Sequence, residues 1–239
     1  MKENLYTIPV SDAFNADCEC PICAMYKKLE TDAIDFTIGP SYMEDDVREA
    51  TSRLGFCEKH LEKLYKNQNR LGLALIMQSH LSKQMKDIKK LSAGEYKLSS
   101  PNLFKKKEET NALLEYLNKM EKSCFVCEKI DKTFERYIVT IFYLYNTQES
   151  FREKFYSSKG FCVSHFKSLY TEAPKHLKGN ELQEFIKKLT KHFLDNLERV
   201  NGDIEWFIDK FDYRYADEPW KNSKDALPRT MLKTNSFME

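Results

Sequence analysis

Glycine and proline are scarce in this chain, seven of each in 239 residues. Strand-and-turn folds use both at their tight reversals, so the shortage argues for helices over a sheet architecture. Net charge is missing as well, with 38 Lys and Arg against 37 Asp and Glu. That balance excludes the chain-wide basic field typical of a nucleic-acid or membrane-surface protein. Long apolar runs are absent too. The most prominent, Ile138–Tyr145, is interrupted by Thr140 and falls far short of the about 20 residues a helix needs to cross a bilayer. Met1–Val10 lacks the apolar core of a secretion signal, so a cytoplasmic, reducing location is expected. The sequence carries no phosphate loop, paired His-Glu zincin motif or nucleophile elbow, and no residue is assigned a catalytic role. What is present is enough apolar side chain to build a core, 41% of residues, with 13% aromatic.

The cysteines carry the strongest pattern. Gly55-Phe56-Cys57-Glu58-Lys59-His60 recurs as Gly160-Phe161-Cys162-Val163-Ser164-His165, and each copy follows a Cys-x-x-Cys pair. The first pair, Cys20 and Cys23, stands 34 residues before Cys57; the second, Cys124 and Cys127, stands 35 before Cys162. Two ligands three residues apart face the same side of a helical turn and can share one ion. Three thiolates and an imidazole make a closed tetrahedral set for structural zinc. The expectation is therefore two zinc ions per chain, each bound within one repeat: Cys20, Cys23, Cys57 and His60 for one, Cys124, Cys127, Cys162 and His165 for the other.

Other chemistries fit less well. An odd count of seven cysteines, with histidine recurring at a fixed offset, does not suit a disulfide framework. A thioredoxin-like redox pair calls for a βαβ pattern that is missing here. Neither Cys-x-x-Cys is followed by His, as haem attachment would require. An iron–sulfur cluster accepts Cys and His ligands and is the alternative to zinc. Cys18, two residues before Cys20, is left over and reads as a free thiol.

Apolar residues recur at three- and four-residue spacing through most of the chain. The expected fold is all-α, with two pseudo-repeated helical modules, 1–95 and 108–211, each stapled by its Cys3His site. A short helix is expected from Ile8 to Asn15 with Pro9 in its first turn, and a helix opening at Pro21. A further one ends at Leu54, and a long one runs from Leu61 past His80 to Leu91. His80 reads as a half-buried polar residue. Gly55 and Gly160 are placed to adopt the left-handed conformation that closes a helix. The pattern lapses over 96–107, with Ser99-Ser100-Pro101 and Lys105-Lys106-Lys107, which reads as a linker. In the second module Ile130, Phe134, Ile138 and Ile141 form one stripe. Asn180, with Gln183, is placed to cap a helix running to Phe211. The remainder, 212–239, reads as an extended strap in which Tyr213, Tyr215 and Trp220 cover helices or a partner.

The chain resembles a bacterial protein family catalogued as a domain of unknown function. The matching residues are Thr7-Ile8-Pro9-Val10, Cys20-Pro21-Ile22-Cys23, both Gly-Phe-Cys-x-x-His copies, and Asp212-Tyr213-Arg214-Tyr215 with Glu218-Pro219-Trp220. The resemblance implies no activity or substrate. From the residues, the first expectation for function is an interaction or scaffold protein with structural metals, associating with a protein partner or with itself. The alternatives are a thiol-based redox or metal sensor, in which Cys18 could resolve an oxidised Cys20, and a nucleic-acid-binding zinc protein, which the charge balance disfavours.

Overall fold

The computed structural model describes residues 4–93 and 111–236. They form eleven α-helices, two short 3-10 turns and no strand. The all-α expectation holds. None of the described helices is long and apolar enough to cross a membrane.

In order, the helices are α1 (Asn4–Asn15), α2 (Pro21–Ile38), α3 (Asp45–Leu54), α4 (Glu58–Lys66), α5 (Arg70–Ser92), α6 (Ala112–Lys122), α7 (Phe125–Thr147), α8 (Glu149–Ser157), α9 (Val163–His176), α10 (Gly179–Asp209) and α11 (Ala226–Asn235). Several boundaries differ from the sequence reading. Pro9 lies in mid-helix, because α1 begins at Asn4. The expected continuous helix from Leu61 to Leu91 is broken into α4 and α5. Asn69 causes the break: its side chain accepts from Gly72 N at 2.9 Å and starts a new helix. Asn180 is not a cap, since α10 already begins at Gly179 after Lys178.

The division into modules is also different. The chain separates into one unit of 1–29 with 133–239 and another of 30–132. The boundaries fall inside α2 and α7, not at 96–107, and that expected linker lies outside the described residues. Two self-contained sequential repeats are therefore not what the chain builds.

In the discontinuous unit, the core gathers around Phe155, which is fully buried and makes ring contacts with Phe14, Phe161, Phe185 and Tyr145. Ile141, Phe142, Leu144, Leu169 and Leu189 complete the same cluster. Each such side chain contributes roughly 1.5–3 kcal/mol on burial. Here α9 and α11 pack on α10, and α1 packs on α8. In the continuous unit α3 packs on α5, with α4 and α6 also against α5. Val47, Leu54, Leu64, Leu73 and Ile76 are its buried apolar residues on these helices.

Residues 212–236 are not an extended strap. A 3-10 turn at Tyr213–Tyr215 leads to α11. The buried ammonium of Lys210 shapes the turn by donating to Tyr215 O at 2.6 Å, Ala216 O at 2.8 Å and Glu218 O. Trp206 Nε1 donates to Pro219 O at 3.0 Å. Tyr215 and Trp220 are half-buried, but Tyr213 is 88% exposed and covers nothing.

Candidate metal centres

Cys57 and Cys162 occupy the N-cap positions of α4 and α9, so the histidine three residues on lies in the first turn of each helix. Cys20 precedes α2 directly and Cys23 is its third residue; Cys124 and Cys127 stand the same way at the start of α7. Helix starts leave backbone N–H groups without intrahelical partners, and the thiols accept from them. Cys23 N and His165 N approach Cys20 Sγ and Cys162 Sγ at 3.5 and 3.4 Å, and Cys127 N approaches Cys124 Sγ at 3.4 Å.

A glycine precedes each Cys-x-x-His by two residues. Gly55 has φ 59° and ψ −151°, and Gly160 has φ 80°. Both have positive φ, but Gly55 lies in the extended positive-φ region, not the left-handed helical one. That region is essentially restricted to glycine. A Cβ on Gly55 would also lie 2.5 Å from His80 Nε2. His80 itself is satisfied, with Nδ1 2.8 Å from Ser52 O and Nε2 2.8 Å from Gln84. It packs over the turn and belongs to neither cluster.

The pairing of the half-sites is crossed. Cys20 and Cys23 meet Cys162 and His165, while Cys124 and Cys127 meet Cys57 and His60. This overturns the expected within-repeat pairing: each cluster takes its Cys-x-x-Cys from one copy and its Cys-x-x-His from the other. The first cluster lies wholly in the discontinuous unit and the second wholly in the continuous one. Chain entropy offers little resistance. Closing a 139-residue separation in place of 34 amounts to two doublings of loop length and costs only about 1 kcal/mol. Packing of a few side chains outweighs that.

In the first cluster all four side chains are buried. His165 Nδ1 is 3.5, 3.2 and 3.2 Å from the sulfurs of Cys20, Cys23 and Cys162, and Cys23 Sγ is 3.6 Å from Cys162 Sγ. In the second, His60 Nδ1 is 3.3 Å from each sulfur of Cys57, Cys124 and Cys127, with Cys57 and Cys127 3.9 Å apart. A zinc tetrahedron with bonds of about 2.3 Å to sulfur and about 2.0–2.1 Å to nitrogen has edges of about 3.8 and about 3.6 Å. The sulfur–sulfur distances match those edges, and the sulfur–nitrogen distances are a few tenths of an ångström short. Either cluster could hold a metal ion.

Electrostatics point the same way. Three thiols packed this closely cannot all ionise without a cation between them. In the first cluster hydrogen bonds to Cys162 and Cys20 push the Cys23 thiol up, while hydrogen bonds from Cys20 and Cys23 drive Cys162 down. Burial alone would lower His165, but the Cys162 and Cys20 sulfurs raise it to about 9. Burial pushes the Cys127 thiol up in the second cluster, reinforced by Cys124. A dication removes this conflict in both.

Two residues that the motifs did not reveal complete the surroundings. Glu30, on α2, has a side chain only 5% exposed and accepts from His60 Nε2 at 3.1 Å. Lys59 and Lys63 pair with the same carboxylate. Burial would raise its pKa, but hydrogen bonds from the two lysines hold it down at about 2. A carboxylate on the far nitrogen fixes the tautomer that leaves Nδ1 free to ligate. Glu30 is seven residues beyond Cys23, and no motif marks it. The other is Lys233, 1% exposed, whose ammonium is 3.2 Å from Glu19 Oε2. Cys18 is half-buried, its thiol 3.9 Å from Ala13 O, and is outside both clusters.

No curated protein and no solved structure matches the chain. A family defined as one of unknown function, DUF6062, matches all of it, residues 1–239, and the chain belongs to that family.

Proposed function

We propose that both clusters are structural zinc sites and that the chain is a metal-stapled helical scaffold acting in a reducing, cytoplasmic compartment. The observation that carries this reading is the closed ligand set. Each cluster offers four protein ligands whose atoms lie within 4.8 Å of one another, leaving no position for water or substrate, unlike a catalytic zinc site. Zinc is preferred to an iron–sulfur cluster because the ligand spacing fits a single ion. Elemental analysis of protein purified without added metal tests this, with two zinc ions per chain expected. Absence of metal, or an iron-dependent visible absorbance, would refute it.

A protein partner, or a second copy of the chain, is the proposed client of the scaffold. Supporting it is an apolar surface at the end of α10, where Ile208, Phe211 and Tyr213 are 63, 76 and 88% exposed. Pull-down and light scattering of Phe211→Ser against the wild type would test this surface.

The thiol-sensor reading is supported by one feature, a cavity of about 380 Å³ lined by Cys18, Cys20 and Cys23. It requires peroxide to release zinc from the first cluster before the second. Equal release from both would count against it.

A further inference from the structure

The two clusters are assembled from equivalent motif copies but are tied together differently. In the second cluster Ser123, just before Cys124, donates its hydroxyl to Leu54 O at 2.6 Å. Phe125, just after Cys124, donates its backbone N–H to Gly55 O at 2.9 Å. Both bonds join the Cys-x-x-Cys turn directly to the Gly-Phe-Cys-x-x-His turn.

The corresponding residues of the first cluster cannot form either bond. Glu19 stands in place of Ser123, and Pro21, which has no N–H, stands in place of Phe125. The last helix supplies the substitute. Lys233 Nζ donates to Glu19 O at 2.6 Å and to Lys159 O, and Lys159 is the position equivalent to Leu54. One buried ammonium thus spans the same junction that Ser123 spans unaided.

The helix makes a further contact at its end. Ser236 Oγ lies 3.1 Å from Cys162 Sγ. Ser236 holds φ at 57°, a left-handed conformation that is unfavourable for a non-glycine residue. Three thiolates and a neutral imidazole around a dication leave one net negative charge, which the Lys233 ammonium is placed to offset. Glu19 does not consume that charge alone, because Arg199 holds its carboxylate through Nη2–Oε2 at 2.6 Å and Nη1–Oε1 at 3.1 Å. The helix is also seated by Arg229, whose Nη1 meets Asp203 Oδ2 at 2.6 Å and lies 3.9 Å from Glu19 Oε1.

We propose that α11 is a latch on the first metal site alone: Lys233 bridges its two half-sites and Ser236 contacts Cys162, so metal exchange there follows docking of the C-terminal helix, while the second site exchanges without reference to it. The inference rests on the clusters being metal sites. By linkage, metal in the first site must hold α11 as firmly as α11 holds the metal.

The test is zinc release from the full-length, zinc-loaded chain to excess chromogenic chelator. A Cys57→Ser/Cys127→Ser background reports the first site, and a Cys20→Ser/Cys162→Ser background the second. Lys233→Met should accelerate release from the first site by about tenfold or more, the range for loss of an outer-sphere partner, and leave the second unchanged. Ser236→Ala should act in the same direction with less risk to folding. If Lys233→Met reduces the helical circular dichroism, Ser236→Ala decides the kinetic arm. Hydrogen exchange supplies a readout that general destabilisation would not reproduce. In the wild-type chain, emptying the first site should speed amide exchange in Ala226–Asn235, and emptying the second should not. Unchanged release in both sites, equal acceleration in both, or α11 protection indifferent to the first metal would overturn the latch. A wild type that binds no zinc would instead overturn the metal reading itself.

Discussion

Cys23 Sγ lies 3.6 Å from Cys162 Sγ although 139 residues separate them in the chain. The closer candidate in sequence, Cys57, belongs to the other cluster. Metal content of paired variants should expose this crossing. Cys20→Ser/Cys162→Ser removes two ligands of one site and should retain one zinc per chain. Cys20→Ser/Cys57→Ser damages both sites and should retain none. Within-repeat pairing demands the reverse, so elemental analysis of the two double variants separates the arrangements.

Removing both metals should unfold much of the chain. Structural zinc supplies on the order of 10 kcal/mol or more per site, comparable to the whole net stability of a typical domain, about 5–15 kcal/mol. Chelation should therefore lower the melting temperature and reduce the helical signal at 222 nm, with recovery on adding zinc. An unchanged melt after metal is shown to be gone would exclude a structural role.

Glu30→Gln keeps the shape of the side chain and removes the charge that His60 Nε2 and two lysines engage. Metal affinity at the second site should fall by about 10–100-fold, the usual effect of losing such a carboxylate. The first site should be unaffected. Competition titration with a chelator of known affinity, in the Cys20→Ser/Cys162→Ser background, measures the change.

His192 provides a pH dependence. It is buried, its Nε2 lies 3.2 Å from Ser158 Oγ, and its ring contacts Tyr156 and Phe161. Burial lowers its pKa, Lys233 lowers it further, and Asp195 opposes them. A histidine whose folded pKa lies below its unfolded value of 6.5 favours the fold above pH 6.5 and loses that stability as pH falls toward the folded value. The melting temperature should therefore decline between pH 7 and pH 5. In His192→Gln the starting value should be lower and the decline shallower. Parallel curves for the two proteins would show that His192 is not responsible.

Phe155→Ala tests the core of the discontinuous unit. The ring is fully buried among Phe14, Tyr145, Phe161 and Phe185, so truncation should cost about 3–5 kcal/mol. Denaturant titration of the zinc-loaded protein would read this directly, and a loss under about 1 kcal/mol would mean the core collapses around the gap.

The all-α class and the eight Cys and His residues of the two clusters were legible in the sequence alone. Scarce glycine and proline, apolar spacing of three and four, and the repeated Cys-x-x-Cys and Gly-Phe-Cys-x-x-His frames are local properties. A ligand pair at i and i+3 faces one ion whatever the rest of the chain does. The positive φ of Gly55 and Gly160 was expected from glycines closing a helix, but not the extended form that Gly55 takes. Which half-sites meet was not legible, because both pairings use the same eight residues and differ by only about 1 kcal/mol in closure entropy. That choice belongs to packing: the first cluster closes where α9 and α11 lie on α10, and the second closes where Phe125 N and Ser123 Oγ bond the turn at Gly55 and Leu54. Glu30 and Lys233 were hidden for the same reason. Each is one charged residue among many in a balanced sequence, and only burial beside a cluster gives it a role, since a charge without a partner could not remain there.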